Sequence, residues 1–371
     1  MSTPEPFEIY LVATPGLEAP LCEEAQELGF SGAKVVEGGV AFEGTWPDVW
    51  RANLCLRGAT RVLARIASFR AMHLAQLDKR ARKVEWHKLL RPDIPVHVEA
   101  SCKRSRIYHN KAAAQRVATA ITEEFGAPIA DDATLRIMVR IEDDLVTLSV
   151  DTTGESLHKR GFKEAVNRAP MRETMAAMFL RQCGFKGDEP VLDPMCGSGT
   201  FVIEAAEIAA GLNPGRQREF AFEKLATFND LAWQSLRGTS PRNSPELAFF
   251  GSDRDPGAIR MSTENAERAG VSALTKFEQT AIDDLAVPPG PPGLIIVNPP
   301  YGTRIGNKAP LVALYRSLGA KLRKEFTGWR VGIITSDQDL ARATGLKFRE
   351  PTPPVLHGGL RITLYQTGPL G

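Results

Sequence analysis

Hydrophobic and polar positions alternate along this chain in two different rhythms. In the first 155 residues, short apolar runs are separated by turn residues. Residues 7–12 form a compact apolar run that predicts a strand, 17–28 carry apolar residues at helical spacing, and 38–42 read as a short strand after a turn. Residues 46–53 predict a short helix opening at Thr45, with Pro47 in its first turn. Residues 61–66 alternate polar and apolar, as a half-buried strand does, and 96–100 predict another strand. A helix is expected over 111–125, with strands over 135–139 and 145–150 around the Glu142-Asp143-Asp144 turn. This order suggests small α+β modules with antiparallel sheets.

From about residue 170 the rhythm becomes strand–helix alternation. Helices are expected over 172–180, 200–210, 256–269 and 311–326, and strands over 190–193, 247–253, 293–297 and 329–335. The 293–297 run has no polar residue, as expected of a strand covered on both faces. The pattern is that of a doubly wound α/β sheet, which binds ligands at the carboxyl ends of its strands. No internal repeat is evident, and the one low-complexity tract is the Pro-Pro-Gly-Pro-Pro-Gly loop at 288–293.

Composition narrows the class. A length of 371 residues suggests two or three domains, and 24% charged with 43% hydrophobic residues describes a globular chain. No stretch is long and apolar enough to span a bilayer, and the acidic, Pro-containing start does not read as a signal peptide. The five cysteines (Cys22, Cys55, Cys102, Cys183 and Cys196) form no CxxC pair, which argues against a disulfide scaffold or zinc ribbon and leads us to expect a cytoplasmic protein. The histidines show no metal-ligand spacing, so no metal is expected.

The net charge of +2 hides an uneven distribution. Residues 1–60 carry 3 basic and 9 acidic side chains, 61–116 carry 14 and 4, and 117–155 carry 2 and 9. The middle block is therefore a basic region with clusters at 79–83 and at Lys103, Arg104 and Arg106, the second followed by Tyr108, His109 and Lys111. A smaller run comprises Lys159, Arg160, Lys163 and Arg168. Such clusters are either solvated helix faces or the footprint of a phosphate backbone; two in one segment, beside an aromatic residue and a histidine, favour nucleic acid.

Three expected strand ends carry chemistry. The first is Asp193-Pro194-Met195-Cys196-Gly197-Ser198-Gly199-Thr200, a carboxylate followed by a Gly-x-Gly turn that opens a helix. Glycines permit close approach of a ligand, and a helix N-terminus offers free N–H groups. Val202 stands where a dinucleotide fingerprint needs its third glycine, and no Gly-Lys-Ser/Thr follows, so a ligand without pyrophosphate is expected. The second is Gly251-Ser252-Asp253-Arg254-Asp255. Asp253 is placed to accept ribose hydroxyls, whereas Asp255, before Pro256, could equally cap the next helix. The third is Val297-Asn298-Pro299-Pro300-Tyr301-Gly302, where each proline stiffens its predecessor. The Asn298 side-chain oxygen and the Pro299 carbonyl can converge on one amino group, and Tyr301 offers a face to a planar ring.

Together, Asp193 to Thr200 and Asn298 to Gly302 resemble class I S-adenosylmethionine-dependent amino-methyltransferases. The chain is most similar to the THUMP-domain RNA guanine-N2 methyltransferases of ribosomal and transfer RNA, with supporting residues at 157–162, 169–174 and 222–224. The similarity runs over nearly the whole chain and is most specific from 157 to 304. It implies a ferredoxin-like domain over 1–60, a THUMP RNA-binding domain over 61–155, a linker over 156–170 and a Rossmann-like methyltransferase domain over 171–371. It also implies a donor site of Asp193, Met195, Cys196, Gly197, Ser198, Gly199, Thr200, Asp253, Arg254 and Asn298, with Asn298, Pro299 and Tyr301 at the reacting amine. RNA contacts are expected from Lys103, Arg104, Arg106, Lys159 and Arg160. The family pattern has an acidic residue near Ala281 for the adenine amino group, so Asp283 is expected to serve instead. The implied reaction is methyl transfer to N2 of a guanosine, in 23S ribosomal RNA before transfer RNA. Adenine-N6 methylation and a non-catalytic RNA-binding scaffold are the alternatives.

Overall fold

The computed structural model describes residues 5–163, 171–238, 245–246, 248–301 and 308–371. Arg168, Ala169, Pro170, Leu247 and Gly302, all used above, lie outside the described residues. The chain divides into two compact units. One takes Met1–Ala13, Leu21–Leu157 and Arg218–Thr239, and the other takes Thr14–Pro20, His158–Gln217 and Ser240–Gly371.

The first unit is built on one seven-stranded sheet. Its strands are β1 (Phe7–Val12), β2 (Lys34–Val36), β3 (Gly39–Gly44), β4 (Arg61–Arg70), β5 (Val96–Lys103), β6 (Leu135–Glu142) and β7 (Leu145–Asp151), in the order β2-β3-β1-β4-β7-β6-β5. Period-2 patterning sets which face is buried: Leu135, Ile137, Val139 and Ile141 of β6 point into the core while Arg136 and Arg140 do not. β4 pairs with β1 on one side and β7 on the other, so the sheet runs unbroken across the domain boundary expected at residue 60. The antiparallel expectation holds except at β5 and β6, which pair in parallel over eight residues. The helix Asn110–Phe125 between them supplies the crossover that parallel neighbours need.

Two features of this unit escaped the sequence pattern. The helix Leu74–Ala81 carries Lys79 and Arg80 of the first basic cluster and ends at the Arg82 cap. Residues 218–239, expected in the methyltransferase domain, pack here instead. They bring Phe222 against Trp50, with ring centroids 6.1 Å apart, and against Trp233 at 5.0 Å. Aromatic rings bury large areas and pack well edge to face, which is why this excursion of the chain is anchored.

The second unit holds β8 (Val191–Asp193), β9 (Phe249–Asp253), β10 (Thr275–Gln279), β11 (Leu294–Val297), β12 (Arg330–Thr335), β13 (Val355–His357) and β14 (Leu360–Gln366). The order is β10-β9-β8-β11-β12-β14-β13, parallel from β10 to β12 and antiparallel at β14. The doubly wound expectation is met, and β11 is buried throughout. Ile295, Val297, Tyr315, Leu318, Leu322, Phe326 and Trp329 form the core on one side. Each such side chain contributes about 1.5–3 kcal/mol by leaving water. Strand β10 was not anticipated because it is a polar edge strand, and the β13–β14 hairpin follows a proline-rich stretch. Among the described residues no helix is long and apolar enough to cross a membrane.

Topology places the site. After β8 the chain adds β9 and β10 on one side, then returns to lay β11 on the other side of β8. This reversal opens a crevice at the carboxyl ends of β8 and β11. Leu192 stands beside Ile295, so Asp193 at the end of β8 and Asn298 after β11 emerge at the same rim.

Candidate active site

At that rim lies a cavity of about 920 Å³. Asp193, Met195, Cys196, Gly197, Ser198 and Thr200 line it from the β8 turn, Asp253 and Arg254 from β9, Asp283 from the segment after β10, and Asn298, Pro299 and Tyr301 from the β11 corner. The structure therefore gathers twelve of the thirteen expected donor-site and reaction-site positions around one space; Gly199 is the exception. Gly199 has φ +83°, and a Cβ there would meet Ser262 Cβ at 2.9 Å, so glycine is needed both for conformation and for seating the turn on the neighbouring helix.

The turn is held by side chains as well as by glycine. Asp193 Oδ1 accepts the Met195 N–H at 3.0 Å. Asp253 Oδ2 accepts the Gly197 N–H at 3.1 Å, and its Oδ1 accepts the Asp255 N–H at 3.0 Å. Asp253 thus braces the glycine turn while still facing the cavity. Asp255 accepts the Gly257 N–H at 2.9 Å and is the N-cap of the helix Pro256–Ala269. The two roles left open for Asp253 and Asp255 are separated in this way.

Burial sets the electrostatics. Asp193 is pushed up to about 8, first by its burial and then by the negative charge of Asp253, against the pull of the Met195 N–H. Burial also raises the Cys196 thiol, which suits a packing residue and not a nucleophile. Tyr301 is raised to about 12 by burial and keeps its proton at neutral pH. Asp283 accepts a hydrogen bond from Ser317 on the helix Ala309–Glu325, which fixes it on the cavity wall beside Ala281.

The β11 corner holds the most informative atom. Asn298 Oδ1 is shielded from solvent and has no hydrogen-bond donor among the described residues. An unsatisfied buried acceptor costs about 1–3 kcal/mol. Val297 before it is fully buried and Pro299 follows it, which holds the Asn298 backbone to extended geometry.

The sequence reading missed some of the site. Lys163, read only as part of a basic run, lies 2.9 Å from Glu173 and donates to Thr200 Oγ1 at 2.8 Å in a nearly solvent-free pair. Met171 and His357 also line the cavity. A buried lysine and a histidine some 160 positions beyond the glycine turn have no spacing signal. Among the expected RNA contacts, Arg160 requires correction. Its side chain is 1% exposed and pairs with Glu204 at 3.2 Å, so it is a core ion pair and not an RNA-facing group. Lys159 is exposed. Lys103, Arg104 and Arg106 are exposed on the first unit, each beside a carboxylate. Among the described residues no cluster of three or more His, Cys, Asp or Glu could hold a metal ion.

Comparison with known proteins agrees with this geometry. Residues 160–357 match the family model described as RMKL-like, methyltransferase domain, and residues 8–63 match the RlmL ferredoxin-like domain. The chain is 34% identical over 347 residues to the Vibrio campbellii protein named "Ribosomal RNA large subunit methyltransferase K/L", a match covering 89% of this chain and 49% of that one. The chain thus spans about half the length of the relatives that bear this name. It is 31% identical to the Synechocystis protein named "Putative RNA methyltransferase slr0064", over 95% of this chain and 94% of that one. Among solved structures, SMU.472, complexed with SAH, superposes with a TM-score of 0.89 at 27% identity over 100% of both chains. A Listeria monocytogenes protein described as a "predicted N6-adenine-specific DNA methylase" superposes with a TM-score of 0.87 at 31% identity, over 98% of this chain and 97% of that one.

Proposed function

The chain belongs to the RMKL-like methyltransferase family, and from that premise we propose that it transfers a methyl group from S-adenosylmethionine to N2 of a guanosine in 23S ribosomal RNA. The relatives named as ribosomal RNA large subunit methyltransferases support the substrate, and the unpaired Asn298 Oδ1 carries the chemistry.

The cavity suits such a donor. Asp253, Asp255 and Asp283 line it against a single arginine, Arg254, beside Asp193, which holds its proton in the free protein at neutral pH. That balance favours a cationic sulfonium nucleoside over a nucleotide with pyrophosphate. Asp193 and the glycine turn would hold its amino-acid end, Asp253 its ribose, and Asp283 with Ser317 behind it the adenine edge. When bound, the donor supplies an electrophilic methyl group.

The protein's own work is positioning. A guanine amino group is a weak nucleophile because its lone pair is delocalised into the ring. Asn298 Oδ1 and the Pro299 carbonyl, each accepting one N–H, fix the nitrogen and direct that lone pair toward the donor. Satisfying the buried Asn298 acceptor makes this contact favourable. The base must be unpaired or flipped to enter, at a cost of a few kcal/mol. Stacking on Tyr301, about 1–3 kcal/mol per base, offsets that cost. Direct displacement on a positioned amine needs no covalent enzyme intermediate, and the surplus proton leaves after transfer.

A second reading, adenine-N6 methylation, is supported by the Listeria structure and by the ability of an Asn-Pro-Pro-Tyr corner to hold either amino group. The test is incubation with methyl-labelled S-adenosylmethionine and 23S RNA from a strain lacking the enzyme, followed by nucleoside analysis. N2-methylguanosine is expected; N6-methyladenosine replaces the guanine reading.

A further inference from the structure

The two basic clusters of residues 61–116 differ in what surrounds them. In the second cluster, Lys103 Nζ lies 3.7 Å from both Glu37 and Glu142. Arg104 reaches Glu142 at 2.7 Å and Asp143 at 3.2 Å, and Arg106 lies 3.8 Å from Asp144. The β6–β7 turn thus supplies a carboxylate to each cation. In the first cluster, Arg82 is held by Asp78, Glu123 and Glu124. Lys79, Arg80 and Lys83 have no carboxylate partner among the described residues, and all three are exposed.

Arg80 and Lys83 also border a cavity of about 480 Å³ in the first unit. It is also lined by Arg65 and Phe69 of β4 and by Phe7 and Trp46, whose rings lie 5.0 Å apart. The two further cations of the cavity are already engaged: Lys88 with Glu85, which also lines it, at 2.7 Å, and Arg65 with Glu8. What remains is a pair of cations with no carboxylate partner among the described residues, lining the same space as three aromatic rings. The volume is at the lower end of small-ligand sites, about 300–1,000 Å³, which admits a splayed nucleotide but not a duplex. Aromatic faces bind bases only when these are unstacked from their neighbours, and cations track the phosphates beside them.

We propose that this groove takes an unpaired stretch of the RNA substrate, with a base against Trp46, Phe7 and Phe69 and the adjoining phosphates on Arg80 and Lys83. The neutralised Lys103–Arg106 turn then contributes little. The proposal rests on the RNA reading above, but binding to the groove is measured without reference to methylation.

The probe is a fluorescein-labelled twelve-nucleotide oligouridylate, read by anisotropy with the full chain across a potassium chloride series, alongside a twelve-base-pair RNA duplex. Wild type binds the single strand more tightly than the duplex. R80E/K83E loses at least tenfold in affinity, and its log–log salt slope falls by about 1.4, at roughly 0.7 for each single-strand phosphate contact. W46A loses about 5- to 150-fold, the range for one stacked base. K103E/R104E loses less than threefold. S-adenosylmethionine affinity, measured by calorimetry, is unchanged in all three variants and shows that they are folded. An unchanged slope in R80E/K83E, a larger loss in K103E/R104E, or equal affinity for the duplex overturns the proposal. If the groove variants behave as stated but no RNA is methylated, the functional reading fails and the groove stands.

Discussion

The surroundings of the cavity in the second unit and the basic clusters of the first hold charge in different ways. In the second unit the decisive charges are inside: Arg160 with Glu204 and Lys163 with Glu173 are almost free of solvent, and Asp193 is buried at the base of the cavity. In the first unit Asp151 is buried against Arg61, but the basic clusters lie at the surface, where Arg82, Arg104 and Arg140 sit among carboxylates. Buried charges tolerate no missing partner, so they fix geometry; exposed charges are screened and interchangeable, so they select partners. The site of chemistry is built from the first kind, and the groove proposed for RNA from the second.

The sharpest break of this comparison is stability. Glu173→Ala strands the buried Lys163 charge and should cost about 3–5 kcal/mol, read from denaturant unfolding. Asp143→Asn, which removes an exposed partner of Arg104, should leave the unfolding midpoint unchanged. Equal effects would erase the distinction between the units.

Next in size is the reaction itself. Asn298→Ala should lower single-turnover methyl transfer by about 10²–10³-fold, the range seen when one preorganised hydrogen-bonding group at a reacting centre is lost. Donor affinity should hold, because the role proposed for the orphan oxygen is to hold the amine of the other substrate. Retained turnover would remove Asn298 from the mechanism.

A pH series probes the buried carboxylate. In the free protein Asp193 keeps its proton up to about 8, against 3.8 as its ordinary value. Between those values the folded state holds a proton that the unfolded chain has lost, so this group's contribution to stability falls as pH rises through the window. A cationic donor favours the ionised form. Its affinity should therefore rise with pH, by up to about tenfold per unit, and level off above pH 8, with proton release seen by calorimetry in buffers of different ionisation enthalpy. Asp193→Asn should flatten the profile.

The smallest effect separates the two aspartates after β9. Asp255→Ala should cost about 1 kcal/mol of stability as a lost helix cap and leave donor affinity intact. Asp253→Ala should weaken donor binding, since it loosens the glycine turn. The reverse pattern would exchange their roles.

Much of the second unit was readable before folding. Strand β11 announces itself as an unbroken apolar run, and the Gly-x-Gly turn and proline corner carry residues whose backbone constraints are local. The helix Pro256–Ala269 agrees at both ends because proline opens it and Gly270 closes it. Strand β10 was not readable because an edge strand need not be apolar. Lys163 and Arg160 misled because a cationic residue in a basic run looks solvated, whereas their partners Glu173 and Glu204 come from helices elsewhere in the chain.

By itself the sequence determined the alternation of strands and helices, the conformations that glycine and proline permit, and the kinds of chemical group present at each strand end. Those follow from short-range sterics and from the periodicity of apolar residues. Only the tertiary structure decided that β11 lies beside β8, which brings the aspartate turn and the asparagine corner to one rim, and which cations keep their charge free. Both depend on partners distant in the chain, and the availability of a charge or an acceptor is a property of what folding places next to it.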